Sequence, residues 1–484
     1  MSISSALSNA LSGLAASARS AGVVSTNLAN VLTEGYAPRD IELRARSSGA
    51  GGGVLVGGVQ RNVNTALLGE RRLADSEVSL NRVLVDVSTT LEKAIGIPDE
   101  EGSLSARISA MEASLVTAAA RPDENVRLRD VMFKAGDVAE KFNKISATIQ
   151  EQRTKLDDRI GATVESINTI LAKTERLNGQ IARSHALGHD VAALEDQRQL
   201  LIDELATHVP VRLAARDSGA VAIYTPGGAA LLDGKAAQLG FARSNVVAPH
   251  MTLENGLLSG LEINGIPVRT DGARSPVAGG GLAALFEARD GVAPAAQARI
   301  DGLARDLVER FQQPGLDSTR APGQPGLFTD MQAVFDPADE IGIAGRIALN
   351  TAVDEAAEGA VWRLRDGLGA DTPANAGDAT LLQALSDSLS RPAPPASAAL
   401  DAGSASLAAH IGAVTSSMGQ SRLSAEQDLG FANSLQAGLK ESELAQGVDT
   451  DEQLQRLLLV EQAYAANARM IETMEDLLDT LIRI

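Results

Sequence analysis

NVRLRDVMFKAGDVAEKFNKISATIQEQRTKLDDRIGATVESINTILAKTERLNGQIARS, residues 125–184, is the stretch that decides the fold. Leu128, Val131, Ala135, Val138, Phe142, Ile145 and Ile149 recur at spacings of three and four, which places them on one face of a helix. Beyond Leu156 the stripe continues through Ile160, Val164, Ile167 and Leu171, with a four-four step of the kind that marks a stutter. Some 60 residues of helix reach roughly 90 Å at 1.5 Å per residue, far more than a globular core needs. The pattern predicts a rod that breaks at Gly188, followed by a further helix over residues 191–206.

Working outward, both chain ends carry the same rhythm. Ile3, Leu7, Ala10, Leu14, Ser17, Ala21, Val24, Leu28 and Val31 form a heptad seam of mostly small residues, closed by Gly35 and Pro38. At the other end Asp449 with Glu452 reads as a capping-box variant. Leu457, Val460, Tyr464, Asn467, Ile471, Met474, Leu478 and Leu481 then form a second seam that runs almost to Ile484. Domain ends are ordinarily frayed. Two amphipathic ends therefore predict an assembly interface, through Ile3, Leu7, Leu14, Val24 and Leu28 on one helix and the eight seam residues on the other. Asn467 is the polar seam residue that would set register.

Between residues 210 and 281 short apolar runs such as Val221–Ala222–Ile223–Tyr224 alternate with turn signals at Pro226–Gly227–Gly228, Asp233–Gly234, Asn255–Gly256 and Asn264–Gly265. This pattern predicts hairpins. Helical pattern returns over 281–311, a Pro/Gly loop covers 314–326, residues 340–415 are mixed, and helix resumes over about 404–443. The expected class is mainly α with a β-rich module (α+β), combining terminal coiled-coil helices with a long central helical bundle. The expected division is an N-terminal helix over 1–36, a rod-like helical part over 37–208, the β module over 209–280, a helical or mixed continuation over 281–447, and a C-terminal helix over 448–484.

Composition narrows the function. Of 484 residues 44% are hydrophobic, yet one Trp, three Tyr and eight Phe are all the aromatics. Cores built from Ala, Leu, Val and Ile suit close helix packing better than aromatic-lined cofactor pockets, and no cofactor is expected. A net charge of −19 and the lack of a basic block argue against nucleic acid as a partner. No cysteine is present, so disulfides and Cys-ligated metals are excluded. No apolar run long enough to span a membrane occurs, and the first charged residue, Arg19, comes too late for a secretory signal.

Nothing in the sequence composes a catalytic constellation. His185 and His189, with Asp190, lack a third metal ligand and flank Gly188 at an expected helix end. The run at 49–53 lacks the Gly-Lys-Ser/Thr ending of a phosphate loop and reads as a turn. Asp157 and Asp158 are expected to be solvated charges on a helix surface. The chain is expected not to be an enzyme.

Thr26–Asn27–Leu28–Ala29–Asn30 followed by Thr33–Glu34–Gly35–Tyr36 resembles the N-terminal signature of the bacterial flagellar axial family, the rod, hook and hook-associated proteins. Gly447–Val448–Asp449–Thr450–Asp451–Glu452, running on to residues 461–468, resembles that family's C-terminal signature. The glycine-valine segment at 52–64 and the helix Leu194–Glu195–Asp196–Gln197–Arg198–Gln199–Leu200–Leu201–Ile202–Asp203–Glu204–Leu205 are similar to the hook-associated branch. The resemblance implies a structural subunit of the hook-filament junction, self-assembled into a ring through its terminal helices. It implies hook protein on one face and a filament-side hook-associated protein on the other. It also implies type III export without a cleaved signal, and an export chaperone on the C-terminal helix beforehand. A hook or rod subunit, and a type III-secreted effector, are the alternatives.

Overall fold

The computed structural model describes residues 3–33, 35–46, 52–98, 100–400 and 403–483. Glu34 of the N-terminal signature, residues 49–51 of the glycine run, and Ile484 lie outside the described residues. The chain opens with helix α1 (Ile3–Ala29) and the hairpin β1 (Arg39–Ala45) and β2 (Val54–Arg61). Then come α2 (Thr65–Ile95), α3 (Leu104–Ala120), α4 (Asn125–Ala186) and α5 (Ala192–His208). The β module follows as β3 (Arg212–Ala215), β4 (Val221–Tyr224), β5 (Ala230–Asp233), β6 (Lys235–Ala236), β7 (Leu239–Gly240), β8 (Leu261–Ile263) and β9 (Ile266–Val268). Helices α6 (Gly280–Glu287) and α7 (Ala293–Gln312) return the chain to the bundle. They lead to β10 (Phe328–Asp330), β11 (Ile347–Leu349), α8 (Arg363–Asp366), α9 (Thr380–Ser390), α10 (Leu407–Ala445) and α11 (Thr450–Ile482).

The spine is α4, 62 residues long. No proline interrupts it, and each residue of the stripe from Leu128 to Leu171 is buried. α3 folds back on its first half through the turn at Arg121–Glu124, α5 packs on its last turns, and α6 and α7 cover its middle. α2 lies between α5, α6 and α10, so one continuous apolar core joins the bundle to the β module. Asn64 and Ser103 cap α2 and α3 by accepting the N–H of Leu67 and Ala106. Between α6 and α7 the chain makes a π-helical turn at Ala288–Val292, just ahead of Pro294, which has no N–H to offer the ladder.

The β module holds a four-stranded antiparallel sheet in the order β3-β4-β5-β6 and a three-stranded one in the order β7-β8-β9. Three of the expected turns join consecutive strands. At Asn264–Gly265 both residues have positive φ, 54° and 77°, the geometry that a two-residue hairpin turn with right-handed twist requires. Asn255–Gly256 lies instead in the long connection between β7 and β8.

The expectation for Asp157 fails: its carboxylate is fully buried. It accepts from the Arg289 guanidinium at 2.6 Å and from the Ser244 N–H at 2.6 Å. Arg153, in the seam gap between Ile149 and Leu156, is equally buried. It donates to the carbonyls of Ala248, Met251 and Arg289 at 3.1, 2.6 and 3.2 Å. Burial lowers the Arg153 pKa. The connection from β7 to β8 and the π-helical turn lie over α4 here, covering a face that helical periodicity alone leaves open. Asp158, one residue on, is exposed.

Candidate assembly interface

α1 and α11 lie side by side. Gly13 faces Asn467, and Asn27 bonds Gln453, the same fourteen residues apart on each helix, so the pair is antiparallel with heptads in phase. On α1 the seam residues Ala10, Ser17 and Val24 are buried, and Ile3, Leu7, Leu14 and Leu28 are half-buried. On α11 Leu457, Val460, Asn467, Ile471 and Met474 are half-buried, while Tyr464, Leu478 and Leu481 remain exposed. Among the described residues Asn467 makes no bond across the pair: its amide donates to the Ala463 carbonyl of its own helix at 2.9 Å. The side chain lies over Gly13, where a Cβ would come within 2.8 Å of it. Close approach of the two helices here depends on glycine.

One helix can cover only one stripe of its partner. α11 carries a second, Leu459, Ala463, Ala466, Met470, Thr473 and Leu477, at the same four-three spacing and offset by one residue from the first. All six are exposed. Sequence reasoning missed this stripe although its periodicity was visible. It is an apolar helix face with no cover among the described residues, and large uncovered patches of this kind mark interaction surfaces.

The pair is clamped to the body at one end by Asn27, which is 1% exposed. Its amide nitrogen donates to the Arg39 carbonyl at 2.9 Å and to Gln453 Oε1 at 3.0 Å. Its amide oxygen accepts from the Tyr36 hydroxyl at 2.6 Å and the Arg39 N–H at 3.0 Å. One side chain thus joins α1, β1, α11 and the intervening turn, with all its polar capacity used. Burial raises the Tyr36 pKa, while the Arg39 guanidinium, 4.9 Å above its ring, pulls the other way. Asp449 caps α11, accepting the N–H groups of Asp451 and Glu452 at 2.9 and 3.1 Å. Arg456 of α11 pairs with Asp40 of β1.

Helix α5 receives the other side of this clamp. Asp196 takes Arg39 at 2.7 Å and Arg61 at 2.8 Å, and Gln199 accepts from Arg61 at 2.6 Å. Asp203 pairs with Arg71 at 2.8 Å and Arg72 at 2.7 Å. Burial opposes the Arg71 charge, yet Asp203, Glu443 and Asp75 together raise its pKa; for Arg72 burial prevails and the pKa falls. Leu200 packs against Gly35, whose φ is +76°. The acidic and amide positions of the 194–205 segment thus act as receptors for arginines of the hairpin and of α2.

The chemistry available here is burial and hydrogen bonding. Among the described residues no group of three potential ligands could hold a metal, and His185 and His189 are exposed. No described helix is long and apolar enough to cross a membrane.

The clamp thus brings together, through Asn27 and Gln453, the two terminal segments whose sequences resemble the flagellar axial signatures, and sequence comparison finds the same class. Residues 88–328 match the model for the flagellar hook-associated protein FlgK helical domain, and residues 445–484 match that for the flagellar basal body rod FlgEFG protein C-terminal region. The chain belongs to the flagellar hook-associated protein 1 family. Flagellar hook-associated protein 1 of Bacillus subtilis is 23% identical over 98% of this chain and 97% of its own length. The Salmonella typhimurium protein of the same name is 26% identical over 54% of this chain and 51% of its own, and the Escherichia coli one 27% over 49% and 44%. In those two alignments the chain spans about half of the relative. The flagellar hook junction protein FlgK of Burkholderia pseudomallei superposes with a TM-score of 0.43 at 19% identity, over 54% of this chain and 46% of that one.

Proposed function

We propose that this chain is a structural subunit of the flagellum that forms the hook-filament junction, an adaptor between hook protein and the filament-side hook-associated protein. The observation that carries the reading is the α1–α11 pair. Most of its inner seam is covered within the chain, and the second stripe of α11 is left exposed. Copies pack through that stripe into a ring, which buries apolar surface that a lone subunit leaves in water. The match to the Bacillus relative along almost the whole chain supports the junction over the rod or hook, because the rod-type C-terminal match alone is common ground for all three.

On this reading residues 3–30 and 455–483 are loosely ordered in the monomer and become ordered on assembly, so that folding and assembly are coupled. The chain travels by type III export, and a chaperone covers α11 until then. It has no catalytic role. The test is a deletion strain viewed by electron microscopy, with flagellin assayed in the medium. Hooks without filaments, and flagellin lost to the medium, support the junction role. Normal filaments refute it, and a missing hook or rod moves the subunit to an earlier station. Full amide protection of both terminal segments in the purified monomer would refute coupled folding.

A further inference from the structure

Near the clamp α10 packs on α2, α2 on α5 and α5 on α4. Gln436 donates to Asp75 across the first contact, and Arg72 meets Asp203 across the second. On α10 the residues turned toward α2 recur as Ala425, Leu429, Ala432, Gln436 and Leu439. The opposite face presents Leu423, Gln427, Phe431, Ser434, Leu435 and Gly438, all exposed and none charged. Phe431 is 72% exposed in a chain with only eight phenylalanines. An uncharged face centred on an aromatic is the make-up of an interface core.

α4 and α5 enclose a groove of about 430 Å³, with Leu177, Leu200 and Leu201 in its wall and Lys173, Arg176 and Glu204 among its lining residues. Neither cation takes part in an ion pair among the described residues, and the same holds for Asp428 and Glu441, which border the Phe431 face. We propose that the Phe431 face of α10 seats in the α4–α5 groove of the neighbouring copy, with Asp428 and Glu441 facing its Lys173 and Arg176. The two surfaces differ. The contact is therefore head-to-tail, which continues from copy to copy where a two-fold contact would stop at a dimer. This inference rests on the proposed self-assembly and names the side-by-side partner surface, away from the terminal helices.

The absence of cysteine makes the test direct. The full chain carrying Phe431→Cys and Gln197→Cys, an exposed position in the groove lining, is expressed in place of the native one, and isolated flagella are treated with a short bismaleimide. A ladder of multimers is expected; a control pair, Phe133→Cys with Gln197→Cys, gives none. Chain present at the junction without a ladder overturns the docking and leaves the junction role standing. Chain absent from the junction overturns both. Phe431→Asp, at an exposed position, is expected to leave the monomer's thermal midpoint unchanged and to cut filament-bearing cells by about tenfold or more, the scale of losing an interface anchor. Wild-type filament numbers in that strain also overturn the docking.

Discussion

Replacing Asn27 by alanine tests whether the clamp holds the terminal pair in its working position. The substitution removes four hydrogen bonds, two donated and two accepted. Gln453 is 4% exposed and its amide is stranded with Asn27 gone, as is the Arg39 N–H; the half-buried Tyr36 hydroxyl can turn to water. At roughly 1 kcal/mol net per bond, with less for Tyr36, the loss is about 3 kcal/mol. Because about 1.4 kcal/mol is a factor of ten, the clamped form becomes roughly a hundredfold scarcer. The assay compares strains that export equal amounts of the Asn27→Ala and native chains. Filaments per cell should collapse, and raising the exported chain about a hundredfold should restore them by mass action. The thermal midpoint of the purified body should not move, since its core lies elsewhere. Asn27→Asp should fare no better, because it keeps the acceptors for Tyr36 and Arg39 and loses both donors. Wild-type filament numbers at matched export would refute the clamp.

Asp301 supplies a pH test. It is buried and accepts from the N–H groups of Gly342 and Ala344 and from Gln297, yet burial outweighs these donors and pushes its pKa up to about 6. Its contribution to stability is therefore fully present below pH ~4 and is lost as pH rises through ~6, at a cost approaching about 3 kcal/mol above pH 7. Asp301→Asn should flatten that slope in denaturant titrations between pH 4 and 7.5; an unchanged slope would assign it to another group. Gly35→Ala should destabilise the clamp through both its positive φ and a Cβ 2.5 Å from the Leu200 side chain. Adding Leu200→Ala should relieve the clash and leave the backbone strain of about 1–2 kcal/mol, measured as a double-mutant cycle; strict additivity would count against the contact. Asp157→Ala takes from the buried Arg289 its fully buried partner, leaving Asp290, and strands the Ser244 N–H; it should cost about 3–5 kcal/mol in urea unfolding, so a loss under 1 kcal/mol would show that Asp290 alone suffices.

Helical periodicity is a local property, and that is why so much of the body was legible. Leu128 through Leu171 mark the buried face of α4 because a helix repeats every 3.6 residues whatever it packs against. The turn at Asn264–Gly265 was legible for a similar reason, since two residues suffice to specify it. The terminal seams and the Asp449 cap could also be read from spacing, as could the second α11 stripe had the offset positions been tried. Tertiary structure alone decided which polar groups are interior. Asp157 and Arg153 look like helix-surface charges until residues 244–259 and Arg289, about a hundred positions away, close over them. Asn27 stood in a recognisable motif, but its partner Gln453 lies 426 residues along the chain. Sequence spacing carries no trace of such a meeting, because a side chain's burial is set by whatever the rest of the chain brings against it.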